Sequence, residues 1–296
     1  MKGHVINGVF DGIIHSHGEE YHIEKAHKFF PTKQDFHSII YRASDVEEPA
    51  SICGMKDKVY EDLHRLQSTG RPSPRDRIVY GHTKRQTPQP QFCPVLVAAD
   101  HLFQQVVGGG DPAATTSDIV SVIEEVQDIY AKTDFGIGYT VQPTIGRIQL
   151  LDETVPGYRF GDPSIDVNTF LDRWSEEDHS QFCLALLLTN RDFDGGVLGL
   201  AWVAEPAGGN RGGICEQSPV RLQNGLRYLN TAIVTFLNFG RQQPRPVSVV
   251  AIAHEFGHNF GSPVSYLLTL SPLLYYSSSV LHAVCQLGIA GKLKFL

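Results

Sequence analysis

The sequence predicts an α/β fold: a mixed β-sheet packed with helices, preceded by a β-rich segment. Three observations carry this reading. From Phe92 to about residue 260, apolar runs of strand length alternate with stretches of helical periodicity, the pattern of a layered sheet. From about residue 3 to 42, short apolar segments are punctuated by Gly8, Gly12 and Gly18, which reads as antiparallel strands joined by turns. The composition, 42% hydrophobic and 19% charged over 296 residues, is that of an ordinary globular chain, long enough for one large domain or two small ones.

In chain order, the N-terminal strands are marked by Val5, Val9, Ile13 and Ile14, then Tyr21 and Ile23, then Ile39, Ile40 and Tyr41. His15, His17, His22 and His27 cluster here; exposed strand positions are a simpler reading than a second metal site. Residues 67–91 are rich in Ser, Pro, Arg, Gln and Thr, lack apolar periodicity and read as a linker, with the basic pair Lys84-Arg85 inside it. A folded domain starts near Phe92. Val95-Leu96-Val97 leads into Ala99-Asp100-His101-Leu102-Phe103, read as strand. Ser117 to Tyr130, with Ile119, Val122, Ile123, Val126 and Ile129 on one face and Asp118 in the first turn, is an amphipathic helix. Ile145 to Leu151 is a strand, Val167 to Trp174 a short helix, and Phe182 to Leu188 a continuous apolar run suited to a strand buried on both faces. Val197 to Val203 and Leu229 to Leu237 are further strands.

The last element carries the chemistry. Val247 to Ala253 is an apolar run behind Pro244 and Pro246, where a helix would start, and it leads into His254-Glu255-Phe256-Gly257-His258-Asn259-Phe260-Gly261. Histidines at i and i+4 lie one turn apart on one helix face, so both imidazoles can reach one tetrahedral metal. Glu255, between them, points elsewhere and is free to act as a base toward an attacking water. The His-Glu-x-x-His spacing is that of a zinc protease, and Gly261 stands where such helices end and turn back in one class of these enzymes.

These residues resemble the active-site helix of the ADAM metalloproteinases, a metzincin (reprolysin-type) family, and specifically its Kuzbanian-like branch. Further blocks carry the same resemblance: Phe10-Asp11-Gly12, Phe36 to Tyr41, Ala99 to Phe103, Arg191 to Asp194, Gly196 to Val203 and Gly212 to Glu216. The resemblance implies a metzincin-like sheet in residues 92–263 and a prodomain fragment in residues 1–66, with the linker between them as a processing site. It implies Zn2+ as cofactor, held by three imidazoles, and proteolysis of protein or peptide substrates, in the family the stalks of membrane proteins. It also implies that the enzyme's own prodomain is a partner, with Cys53 as an inhibitory thiolate ligand. It pairs Cys93 with Cys183, and it places Gly199-Leu200-Ala201 on an edge strand where a substrate peptide adds by main-chain hydrogen bonds. The secretory pathway or the cell surface is the implied location.

Several features depart from the family. The third histidine is expected three residues after Gly261, and Val264 stands there. No Asp, Glu, Lys or Arg occurs from Val264 to Gly291, yet Pro272, Ser277-Ser278-Ser279 and Gly288 interrupt that run, which argues against a clean membrane span. Residues 264–296 read as a non-family tail from an alternative or misjoined exon, with a weak membrane- or partner-binding tail as the alternative. The methionines are Met1 and Met55, so the family's methionine turn has no counterpart. Without that second half, the helix Val247 to Phe260 is expected to expose an apolar face. Met1 to Gly8 lacks the apolar core of a signal peptide. The net charge of −7 argues against a nucleic-acid partner. Two functional classes follow: an ADAM-type zinc endopeptidase, impaired here, or a catalytically inactive truncated fragment acting at most as a binding module.

Overall fold

The computed structural model describes residues 1–47, 91–133, 140–204, 212–215, 218–222 and 224–261. Cys53, the Lys84-Arg85 pair and the segment from 262 onward, Val264 included, lie outside the described residues.

The N-terminal segment folds as expected. β1 (Lys2–Ile6), β2 (Val9–Ser16), β3 (Glu19–Lys25) and β4 (Ser38–Arg42) form an antiparallel sheet in sequence order. Its turns need left-handed residues, and Asn7-Gly8 and His17-Gly18 supply them, all four at positive φ. His22 corrects the reading of this segment as exposed histidines. It is buried, stacked on Tyr41, with Nε2 3.0 Å from Glu20.

The larger sheet runs β6-β5-β7-β11-β8. β5 (Gln91–Ala99) is followed by α1 (His101–Val106) and α2 (Pro112–Lys132), then β6 (Val141–Leu150), α3 (Val167–Trp174), β7 (Leu184–Thr189) and β8 (Gly199–Ala201). The short hairpin β9 (Val220–Leu222) and β10 (Gly225–Arg227) precedes β11 (Thr231–Thr235), the hairpin β12 (Leu237–Asn238) and β13 (Arg241–Gln242), and α4 (Arg245–Asn259). β6, β5, β7 and β11 are parallel, and β8 pairs antiparallel with β11 at one edge, so the sheet is mixed.

The alternation along the central strands explains their unbroken hydrophobicity. Val95, Val97, Leu184, Leu186, Ala232 and Val234 face one core with Ile119, Ile123 and Val126 of α2 and Ile252 and Phe256 of α4. Leu96, Ala98, Ala185, Leu187 and Ile233 face a second core with Phe170, Leu171 and Trp174 of α3. With both faces covered, the positions between the strand ends are apolar on both sides. Cys93 and Cys183 form a disulfide across the start of β5 and the residue before β7, Cα atoms 5.3 Å apart, as the resemblance implied.

Two expectations are corrected. Ala99 to Phe103 is not one strand: the chain turns into α1 at His101 because Asp100 caps that helix, its carboxylate accepting from the Phe103 N–H at 2.9 Å and from the Thr189 hydroxyl at 2.6 Å. α4 does not expose an apolar face, since Val247, Val249, Ala251, Ile252, Ala253, Phe256 and Phe260 are all buried in the core shared with α2 and the sheet. Its apolar stripe is matched by elements that precede it in the chain.

The N-terminal sheet docks on α2 and on the first turn of α4 through buried charges. Arg245 pairs with Asp11, and its backbone N–H donates to Glu24 at 2.9 Å, so a carboxylate from β3 satisfies an otherwise orphaned donor at the start of α4. Lys28 lies 3.3 Å from Asp118 and 3.5 Å from Glu24; burial alone would depress its ammonium, but these carboxylates outweigh it and raise it. Burial pulls Arg245 down to about 10, which leaves it charged at neutral pH. Among the described residues, no helix is long and apolar enough to cross a membrane.

Candidate metal centre

α4 builds the centre. Pro244 sits extended at its N-cap and Pro246 in its first turn, where a missing N–H costs nothing. Two and a half turns on, His254 and His258 project from one face, both buried. Their Nε2 atoms lie 2.9 Å apart, within hydrogen-bond distance, with ring planes at 89°. Burial, reinforced by the neighbouring His258, pulls His254 down to about 3 and keeps it neutral. A neutral imidazole nitrogen is the form a metal takes.

Glu255 is fully buried, and neither carboxylate oxygen has a hydrogen-bond partner. Burial raises its carboxyl well above the ordinary range. It lies against Gly199 at the start of β8: a Cβ there would meet Glu255 Cγ and Oε1 at 2.6 Å. Only a residue without a side chain lets the edge strand come this close. Among the described residues, no third His, Cys, Asp or Glu joins the His254–His258 pair within 4.8 Å, so Glu255 lies beside the pair and is not a member of it.

The donor set therefore fits a metal, with two converging imidazole nitrogens from this chain. Valine offers no lone pair, so Val264 cannot supply a third ligand. A separate trio, His4, Asp11 and Asp118, also lies within 4.8 Å. Lys25, Lys28 and Arg245 already occupy its carboxylates, so it is an ion-pair network and not a vacant cation site.

Packing fixes the helix around the pair. The Tyr130 hydroxyl donates to the Ala253 carbonyl at 3.0 Å, and the Asn259 amide donates to Trp202 and Thr231 carbonyls at 2.8 and 3.2 Å. The structure brings His254, Glu255, His258 and Gly199-Leu200-Ala201 together; Cys93 and Cys183 are joined elsewhere in the sheet. Sequence reasoning missed Asn259, although it stands inside the motif, and Arg245, whose buried partner Asp11 lies in one of the blocks that carried the resemblance.

The profile of the family described as Metallo-peptidase family M12B Reprolysin-like matches residues 112–264. That stretch is more than half of the chain and contains the histidine pair. The chain belongs to the reprolysin-like M12B metallopeptidases. This metallopeptidase is 36% identical over 279 residues to the disintegrin and metalloproteinase domain-containing protein 10 of Bos taurus and also to that of Homo sapiens, in each case over 88% of its own length. It is 34% identical over 348 residues to the Caenorhabditis elegans homolog, over 97% of its length, an alignment that therefore runs past Val264. These relatives make it an ADAM metallopeptidase of the Kuzbanian-like branch. It spans 37% of the length of each of them.

Proposed function

We propose that this metallopeptidase is built as a zinc endopeptidase for extended protein segments, and that Val264 impairs it. The observation that carries the reading is the convergence of His254 and His258 Nε2 atoms at 2.9 Å beside the unpartnered carboxylate of Glu255. His254 and His258 would hold the ion. Zinc, when bound, supplies Lewis-acid polarisation of the scissile carbonyl and of the attacking water. Glu255 takes the proton of that water and passes it to the leaving amine nitrogen. β8 supports the substrate reading: among the described residues it pairs with β11 on one side only, and it passes directly against Glu255, so a peptide added to its other side runs past the base.

The finer parts of this proposal rest on the family. They are shedding of membrane-protein ectodomains at the cell surface, the N-terminal 1–66 as a prodomain partner, release at Lys84-Arg85, and Cys53 as a thiolate that fills the metal's open position. The second reading, a binding module without turnover, is favoured by Val264, because catalytic zinc sites normally use three protein ligands.

The deciding measurement is the zinc-to-protein ratio of the purified chain, with cleavage of an extended peptide beside it. Sub-stoichiometric zinc and no cleavage are expected for the chain as it stands, and higher zinc loading with cleavage for Val264→His. Cleavage by the unmodified chain would overturn the impairment. Failure of Val264→His to gain zinc would overturn the site.

A further inference from the structure

We infer that Asn259 is a positioning residue that sets the register of the edge strand β8 against the helix carrying His254, Glu255 and His258. The inference deepens the endopeptidase reading and rests on it for its catalytic consequence.

Strand and helix meet at two places. At the start of β8, Gly199 touches Glu255, with no room for a side chain between them. Just past its end, Asn259 Nδ2 donates to the Trp202 carbonyl at 2.8 Å and to the Thr231 carbonyl of β11 at 3.2 Å. Thr231 also accepts from the Trp202 N–H at 3.3 Å, so the amide sits where β8 and β11 part and bonds to both. The backbone continues the join, with the Ala204 N–H donating to the His258 carbonyl at 3.1 Å. Gly213, at a φ of +61°, closes over the same point, and a Cβ on it would lie 2.2 Å from the Asn259 carbonyl oxygen.

The chemistry requires an amide. Asn259 is fully buried, and Oδ1 has no hydrogen-bond partner, so the side chain acts here through its donor alone. A carboxylate of the same shape would turn an acceptor toward two carbonyl oxygens. A peptide paired to β8 takes its placement from that strand, and the strand takes its own from Gly199 at one end and Asn259 at the other. Misplacement of bound substrate by about 1 Å can cost on the order of 100-fold in rate.

The test reads the strand first. In Asn259→Ala, amide hydrogen exchange at Trp202 and Ala204 should accelerate by about tenfold or more, while Leu186 and Ile233 in the sheet centre stay within about twofold. Asn259→Asp should do the same at unchanged volume. Uniform acceleration across the sheet, or none at Trp202 and Ala204, overturns the positioning role. In the Val264→His background, Asn259→Ala should lower kcat by about tenfold or more with KM within about twofold, since strand pairing to the peptide survives and its placement does not. A change in KM alone overturns the catalytic consequence. An inactive Val264→His parent counts against the endopeptidase reading, and the exchange result then decides the role of Asn259 by itself.

Discussion

Glu255 combines two properties rarely left together, full burial and no hydrogen-bond partner on either oxygen. A buried polar group without partners is costly, which supports the proposed role of Glu255 as a base. If a preparation of this chain or of Val264→His cleaves peptide, Glu255→Ala should abolish turnover while largely retaining bound zinc; zinc analysis beside the cleavage assay checks both, and retained activity would remove Glu255 from its role. Glu125, on α2 beside the docked sheet, titrates in a measurable window. Burial pushes its carboxyl up to about 8, with Lys2 opposing and Glu24, Glu20 and Asp128 assisting. A raised carboxyl means that the fold prefers the protonated form. The stabilisation is complete below the ordinary value near 4.5 and is lost as pH rises through 8. His4, lowered by burial, acts in the opposite sense but below its ordinary value of 6.5. Between pH 6.5 and 8 Glu125 should therefore contribute a loss of about 1–2 kcal/mol, and Glu125→Gln should remove that share of the loss in denaturant unfolding across that range.

At the scale of elements, β8 and α4 form the working unit. The strand was legible as Val197 to Val203, but three residues, Gly199–Ala201, pair in the sheet. Leu198 and Trp202 still bond to β11 through the backbone, and past Ala201 the chain is also held by the end of α4, through Asn259 and the His258 carbonyl. Gly199 is the contact that decides whether Glu255 keeps its place. Gly199→Ala should displace the Glu255 side chain, cost about 1–3 kcal/mol by overpacking, and remove any cleavage without removing the histidine pair. Thermal unfolding and zinc binding measured on the same variant check it. Normal stability would mean that the strand moves away from the helix at little cost. Asp100 is the complementary lesson. Its capping of α1 is a local signal of sequence, an Asp three residues before Phe103, overlooked because the apolar run Val95 to Ala99 reads onward as strand.

On the scale of the whole molecule, a charged interface joins the N-terminal sheet to the helix that carries the histidine pair. Asp11, Glu24, Lys25, Lys28, Asp118 and Arg245 are buried there as one network. Removing one partner leaves a buried charge uncompensated. Asp11→Asn should destabilise the chain by about 3 kcal/mol, toward the lower end for buried pairs because Asp118 remains 3.9 Å from Arg245. It should also expose the N-terminal sheet to limited proteolysis before the β5–β11 sheet. A change below about 1 kcal/mol would mean that apolar contacts, and not this network, hold the sheet in place.

The sequence by itself determined the class of fold, the antiparallel N-terminal strands, the buried central strands and the helix with its two histidines and glutamate, because these depend on periodicity and on spacing within one element. The pairing of Cys93 with Cys183 came through the family resemblance, and the structure joins them; among the described residues, Gly199–Ala201 stands at the end of the strand order. Tertiary structure alone decided that Arg245 answers Asp11 across 234 residues, that α4 is covered by elements preceding it, and that Asn259 closes the gap between β8 and β11. Those are contacts between residues far apart in the chain. A buried arginine and a buried asparagine look, in sequence, like any solvent-facing polar residue until the partners that compensate their burial are in place.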